Sequence, residues 1–211
     1  MKKKVFLPFI MIIIFSSCKK SENIPEDNRC ANLIVDDLNV QLVSNQEINS
    51  IKYAFNKNHL GYENLQFWHY AEDLGFKYVG AYQFVNNLKV FSDYWGFEFD
   101  KNDSLISQGG DSITIFKLTD KPKLNLGQVR EIFINAVKND GWYKNDTEIQ
   151  DSCINMEFGY YDLNSGSSFQ PKNYTTAWYV KPSKKDYPFA YIDDLKGQLI
   201  TYGNGIFTKK K

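Results

Sequence analysis

Apolar residues recur at two periods along this chain, and the switch between them marks the predicted elements. After Ser44-Asn45-Gln46-Glu47, the residues Ile48, Ile51 and Phe55 fall at steps of three and four, one apolar stripe that predicts a helix. Ser44 followed three residues later by Glu47 is the pattern of a capping box, and Gly61 lies beyond the expected end. The design returns further on: Asn125 caps, Gln128 sits three residues along, and Val129, Ile132, Phe133, Ala136 and Val137 form the stripe. Asp140-Gly141 closes it, with Gly141 suited to the left-handed position after the helix.

Behind each helix the period drops to two. The first set of runs is Leu65 to Glu72, Phe76 to Phe84, Leu88 to Phe99 and Leu105 to Gly109, with turns at Asn86-Asn87 and Asp100-Lys101-Asn102-Asp103. The second set is Ile154 to Leu163, Thr175 to Lys181, Phe189 to Asp193 and Leu199 to Tyr202. Phe99-Asp100 and Ile192-Asp193 each precede a turn and a returning leucine, Leu105 or Leu199, as in a hairpin. Leu38 to Leu42 alternates too and reads as an extra edge strand. The expectation is an α+β chain of two tandem units, 30–118 and 119–211, each one helix packed on an antiparallel meander of about four strands.

The first residues follow another rule. Lys2, Lys3 and Lys4 precede an apolar stretch from Val5 to Phe15, interrupted only by Pro8. It is about half the ~20 residues a spanning helix needs, so an export signal is predicted. Phe15-Ser16-Ser17-Cys18 resembles a bacterial lipobox. That resemblance implies a signal peptide over 1–17 and a lipid anchor at Cys18 that attaches the chain to a membrane; the run from Lys19 to Arg29 is polar and nearly without apolar residues, the composition of a tether, which is expected over 18–29. The other reading is a plain secretory peptide with an incidental cysteine. Lys19, where an inner-membrane retention signal would carry Asp, points to the outer membrane, on its periplasmic or its surface face.

Composition narrows the function. The 25 basic residues balance 25 acidic ones, so nothing builds the positive field that nucleic acid requires. Losing residues 1–17 removes three lysines and no acid, leaving a mildly acidic body. Cys30 and Cys153 remain in an exported chain, where disulfides persist; one bridge between them and two buried free thiols are the open alternatives.

Candidate chemistry is sparse, and the chain is expected to have no catalytic residues, no metal and no cofactor. His59 and His69 lack the further ligands of a zinc site, and His59 reads as a cation at a helix end. No Gly-x-Ser-x-Gly is present. The acidic pairs Asp36-Asp37, Glu72-Asp73 and Asp193-Asp194 offer oxygen ligands for calcium, but neighbours in a strand point to opposite faces, so they read as turn and edge charges. The surplus is aromatic: 16 Phe, 14 Tyr and 4 Trp, a composition that favours sheet and crowds three consecutive predicted strands. Trp68, Tyr70, Tyr82, Tyr94, Trp95, Trp178 and Tyr191 are therefore the candidate binding surface, against the alternative that such rings fill two small cores.

Two segments resemble known families. Tyr78-Val79-Gly80-Ala81-Tyr82-Gln83-Phe84-Val85-Asn86-Asn87-Leu88-Lys89-Val90-Phe91, continuing to Phe99-Asp100-Lys101-Asn102-Asp103, resembles the fungalysin and thermolysin propeptide domain, with Asp103 where that family has a turn glycine. Trp178-Tyr179-Val180-Lys181 through Ala190-Tyr191-Ile192-Asp193 to Gly197-Gln198-Leu199-Ile200 resembles a PepSY domain. The resemblance implies PepSY/cystatin-like helix-on-meander folds and a role as chaperone or inhibitor of a protease. No His-Glu-x-x-His accompanies them, so the expectation is a free-standing, propeptide-like lipoprotein. Its partner would be a protease or another envelope protein. The alternative is a surface lipoprotein that binds a glycan or small ligand through its aromatic residues.

Overall fold

The structure is a computed structural model, and it describes residues 30–36, 38–110, 118–167 and 169–206. The expected signal peptide, Cys18, the tether and the terminal Lys209-Lys210-Lys211 lie outside the described residues. In chain order the elements are β1 (Ala31–Ile34), α1 (Asn45–Lys57), β2 (Leu65–Asp73), β3 (Phe76–Val85), β4 (Leu88–Phe99), β5 (Leu105–Gly109), α2 (Leu126–Asn139), α3 (Thr147–Asp151), β6 (Ile154–Asp162), β7 (Tyr174–Pro182), β8 (Phe189–Asp193) and β9 (Gln198–Gly203).

Both long helices start at a complete capping box. The Glu47 amide donates to Ser44 Oγ at 3.3 Å and the Ser44 amide to Glu47 Oε2 at 2.7 Å, which holds the Glu47 carboxyl below its ordinary value. Asn125 and Gln128 repeat the exchange at 2.9 and 3.0 Å. Each stripe buries as its spacing requires: Ile51, Ala54 and Phe55 against Phe67, Val79, Ala81, Phe97 and Phe99, and Val129, Phe133 and Val137 against Met156, Trp178, Val180, Ala190 and Ile192. Asn58 closes α1, its Nδ2 donating to the Ala54 and Asp103 carbonyls while its Oδ1 accepts the Leu105 amide.

The strands do not form two separate meanders, and this corrects the expected fold class. They make one nine-stranded mixed sheet in the order β2-β3-β4-β6-β7-β8-β9, with β5 on the far part of β4 and β1 on β6. Two parallel joins unite it. Ala31 to Ile34 of β1 run alongside Ile154 to Glu157, and Val90 of β4 pairs with Tyr160, so β1 and β4 share one edge of β6 end to end. The close approach depends on Gly159, where a Cβ would collide with the Lys89 carbonyl and lie 2.8 Å from the Phe91 ring. A third small cluster, Val85, Val90 and Tyr160, fills this seam.

Smaller differences have local causes. Leu38 to Leu42 is turn and irregular chain, its place beside the sheet taken by β1, which the alternation did not mark. The short α3 also lacks a sequence stripe; it is capped by Asp146, whose Oδ1 accepts the Ile149 amide, and the buried Arg130 guanidinium donates to its last carbonyls, Gln150 and Ser152. Gly141 is not left-handed, because the chain leaves α2 in extended geometry at Asp140. Asn86 and Asn87 both are, at φ 52° and 62°, giving the tight two-residue hairpin expected of an Asn-Asn pair.

Candidate functional site

Along β6 to β8 the residues packed under α2 alternate with a second set, Glu157, Tyr161, Tyr179, Phe189 and Tyr191, which points to the other face. In β3, Val79 and Ala81 face α1, so Tyr82 points away. Lys89 shows that these are one face: its Nζ lies 3.9 Å from the Tyr82 ring centre and 3.8 Å from Glu157 Oε1. All three described helices therefore pack on one side, and the opposite side is a sheet of rings.

That row crosses both halves of the sheet. Trp68 stacks on Tyr82 with centroids 5.6 Å apart and planes 25° apart. Across the seam, Phe91 meets Tyr191 at 5.5 Å, and Tyr191 meets Tyr161 at 4.8 Å and Tyr179 at 5.0 Å. Phe189 and Tyr187 continue the row at 5.6 Å. The rings lie low because glycines sit beneath them: a Cβ at Gly80 would be 2.9 Å from the Trp68 indole, and one at Gly203 would strike Phe189. Burial among these neighbours raises the Tyr191 and Tyr179 hydroxyls above their ordinary range.

The structure divides the seven predicted surface residues. Trp68, Tyr82, Tyr94 and Tyr191 belong to strands of the ring face, with Trp68 40 % and Tyr94 68 % exposed and Tyr94 opposite Tyr82 in the register. Tyr70 and Trp95 turn to the α1 cluster instead. Trp178 is a correction: only 2 % exposed, it lies in the α2 core and donates its indole N–H to Asp194 at 2.9 Å. Phe91, Tyr161, Tyr179 and Phe189 were missed, although the alternation of Tyr179 and Tyr191 with core residues was a usable signal.

Three charged groups interrupt the rings at the seam. Lys89 Nζ pairs with Asp36 Oδ2 at 2.6 Å. Beside them burial pushes Glu157 up to about 8, against the pull of Lys89 and with the added repulsion of Asp36, so it holds its proton at neutral pH. Further along the seam, Asp93 accepts from Lys172 Nζ and Tyr174 Oη, both at 2.7 Å.

The other candidates are structural. Cys30 and Cys153 are joined in a disulfide with Cα atoms 4.5 Å apart, tying β1 to the start of β6. Asp194 is fully buried and accepts the Lys123 and Leu124 amides as well as the Trp178 indole; Asp193 accepts the Leu195 and Lys196 amides in its turn. Asp100 does the same for Asn102 and Ser104, and the Ser104 amide above all lowers its carboxyl. Among the described residues no three His, Cys, Asp or Glu side chains gather as a metal site.

No protein-family model matches the chain, and no curated protein does. Among solved structures, the C-terminal domain of YpeB from Bacillus megaterium matches with a TM-score of 0.36 and 12 % identity, over 82 % of this chain and 70 % of that one. At that level of superposition the two are distant neighbours and no more.

Proposed function

We propose that this chain is a non-catalytic binding protein, held at the cell envelope by a lipid on Cys18, which recognises another protein through the helix-free face of its sheet. What supports the reading is two runs of rings on one face, Trp68 with Tyr82 and Phe91 through Tyr191 and Phe189 to Tyr187, bridged at the seam by Lys89, with Trp68 and the neighbouring Tyr78 and Tyr94 exposed. Aromatic side chains supply large contact areas at the centres of interfaces, and contiguous exposed apolar surface marks interaction sites.

The partner class follows the resemblance of the Tyr78 to Asp103 and Trp178 to Ile200 segments to propeptide and PepSY domains: a thermolysin-type metalloprotease, bound or inhibited as by a detached propeptide. Titrating such proteases with the full chain tests it. A stoichiometric complex with saturable loss of activity, weakened about tenfold or more by Trp68→Ala, is the expected result. Digestion of the chain with no complex overturns the protease partner. Labelling with a fatty-acid analogue, lost in Cys18→Ala, and recovery in the outer-membrane fraction test the anchor.

A second reading, a glycan stacked on the same rings, is favoured by the flat Trp68 indole over Gly80. Oligosaccharides that shift or quench tryptophan fluorescence in the wild type and leave Trp68→Phe unaltered would support it; indifference to sugars removes it.

A further inference from the structure

We propose that the gap where β1 gives way to β4 along β6 is a pocket for a small neutral amphiphile, an apolar body of about six to eight non-hydrogen atoms bearing one hydroxyl or amide donor. Its polar end, Glu157 and Lys89, borders the ring face at the seam, while Phe158 and Trp178 of its walls belong to the α2 side, and its occupant does not depend on the partner proposed for the rings.

The gap follows from the topology. β1 pairs with β6 as far as Glu157, and β4 joins the same edge at Tyr160, so two strand ends meet there without continuing one another. A cavity of about 160 Å³ occupies the junction, its walls apolar: Leu33 of β1, Leu88 of β4, Pro122, Phe158 and the Trp178 indole. That volume suits one benzene-sized body.

The polar end specifies the head group. Glu157 lines the cavity, is only 8 % exposed, and its Oε1 is buried with no hydrogen bond. Lys89 Nζ is 3.8 Å away, beyond hydrogen-bond range, and its short contact, as a donor, is to Asp36 at 2.6 Å. A buried acceptor without a donor is unfavourable, and a ligand donor relieves it. Charge disfavours ions: Lys89 and Asp36 are already paired with each other, so an ammonium or a carboxylate would lose its hydration here without gaining an unpaired counter-charge.

Benzyl alcohol is the probe, with toluene, benzylamine and benzoate as comparators, titrated into the full chain below neutral pH and followed by ligand-observed NMR and Trp178 fluorescence. Benzyl alcohol is expected to bind saturably at one site, about five- to tenfold tighter than toluene, with both charged analogues weaker than the alcohol. Val35→Trp, at a rim position 75 % exposed, is expected to block binding while leaving the fold intact. Glu157→Met keeps the volume, removes the acceptor and should make alcohol and toluene equal. Trp68→Ala should change nothing here, which separates this pocket from the ring face. Absence of saturable binding, a charged analogue that binds as tightly as the alcohol, binding that survives Val35→Trp, or an alcohol preference retained in Glu157→Met each overturns the proposal.

Discussion

Glu157 has a proton that most surface glutamates have lost at neutral pH, and the folded chain is what holds it. Its midpoint rises from the ordinary 4.5 to about 8 on folding, chiefly through burial. The folded state therefore binds this proton more tightly than the unfolded one. The stabilisation is complete below the unfolded midpoint and is lost as pH rises through about 8. Urea unfolding across that window should show stability falling by up to about 1.4 kcal/mol per pH unit from this group, and Glu157→Gln should flatten that slope. At Gly159, two residues on, Ala would collide with the Lys89 carbonyl and the Phe91 ring, at an expected cost of about 1–3 kcal/mol by the same measurement. The ring face itself was only partly legible in the sequence. Alternation gives its residues, but two bulges reset the count. Phe67 pairs with Ala81 and His69 with Gly80, so β2 takes two steps where β3 takes one. Tyr82 pairs with Tyr94 and Phe84 with Lys89, so β4 takes five steps where β3 takes two. The first reset turns Tyr70 to the α1 side, and Trp95 leaves the predicted surface because it follows Tyr94 directly in β4 and so points to the opposite face.

Elements whose signals are local were readable. Both capping boxes, the Asn86-Asn87 turn and the two aspartate hairpins involve residues a few positions apart, so spacing alone located them. β1 and α3 were not readable, because one is defined by a parallel partner more than a hundred residues away and the other by its Asp146 cap and the Arg130 side chain. Asp194 joins elements that are distant in sequence. Its carboxylate gathers the chain entering α2, the turn after β8 and the Trp178 indole of β7. Asp194→Ala removes the acceptor of the Lys123 and Leu124 amides and of the buried Thr176 hydroxyl and Trp178 indole, and should cost about 3 kcal/mol or more. Thermal melts followed by tryptophan emission should show the shift, with the Trp178 environment altered even below the transition.

At the scale of the whole molecule, the disulfide spans 123 residues and fastens β1 to β6 at the edge that β4 also uses. Reduction, or Cys30→Ser with Cys153→Ser, should lower stability by about 2–5 kcal/mol in denaturant melts. Two similar helix-and-hairpin patterns are visible in the sequence, but nothing in them announces that β4 and β6 pair.

The Val90 to Tyr160 join also has a consequence in time. The two hydrophobic clusters are assembled from hairpins and a helix close in sequence, whereas the seam closes a loop of seventy residues and gains nothing until both sides exist. It should be the last part to zip and the first to open. Gly159→Ala should then leave the refolding arm of a chevron plot where it is and raise the unfolding arm alone, so that the seam governs how long the native chain survives rather than how quickly it is made.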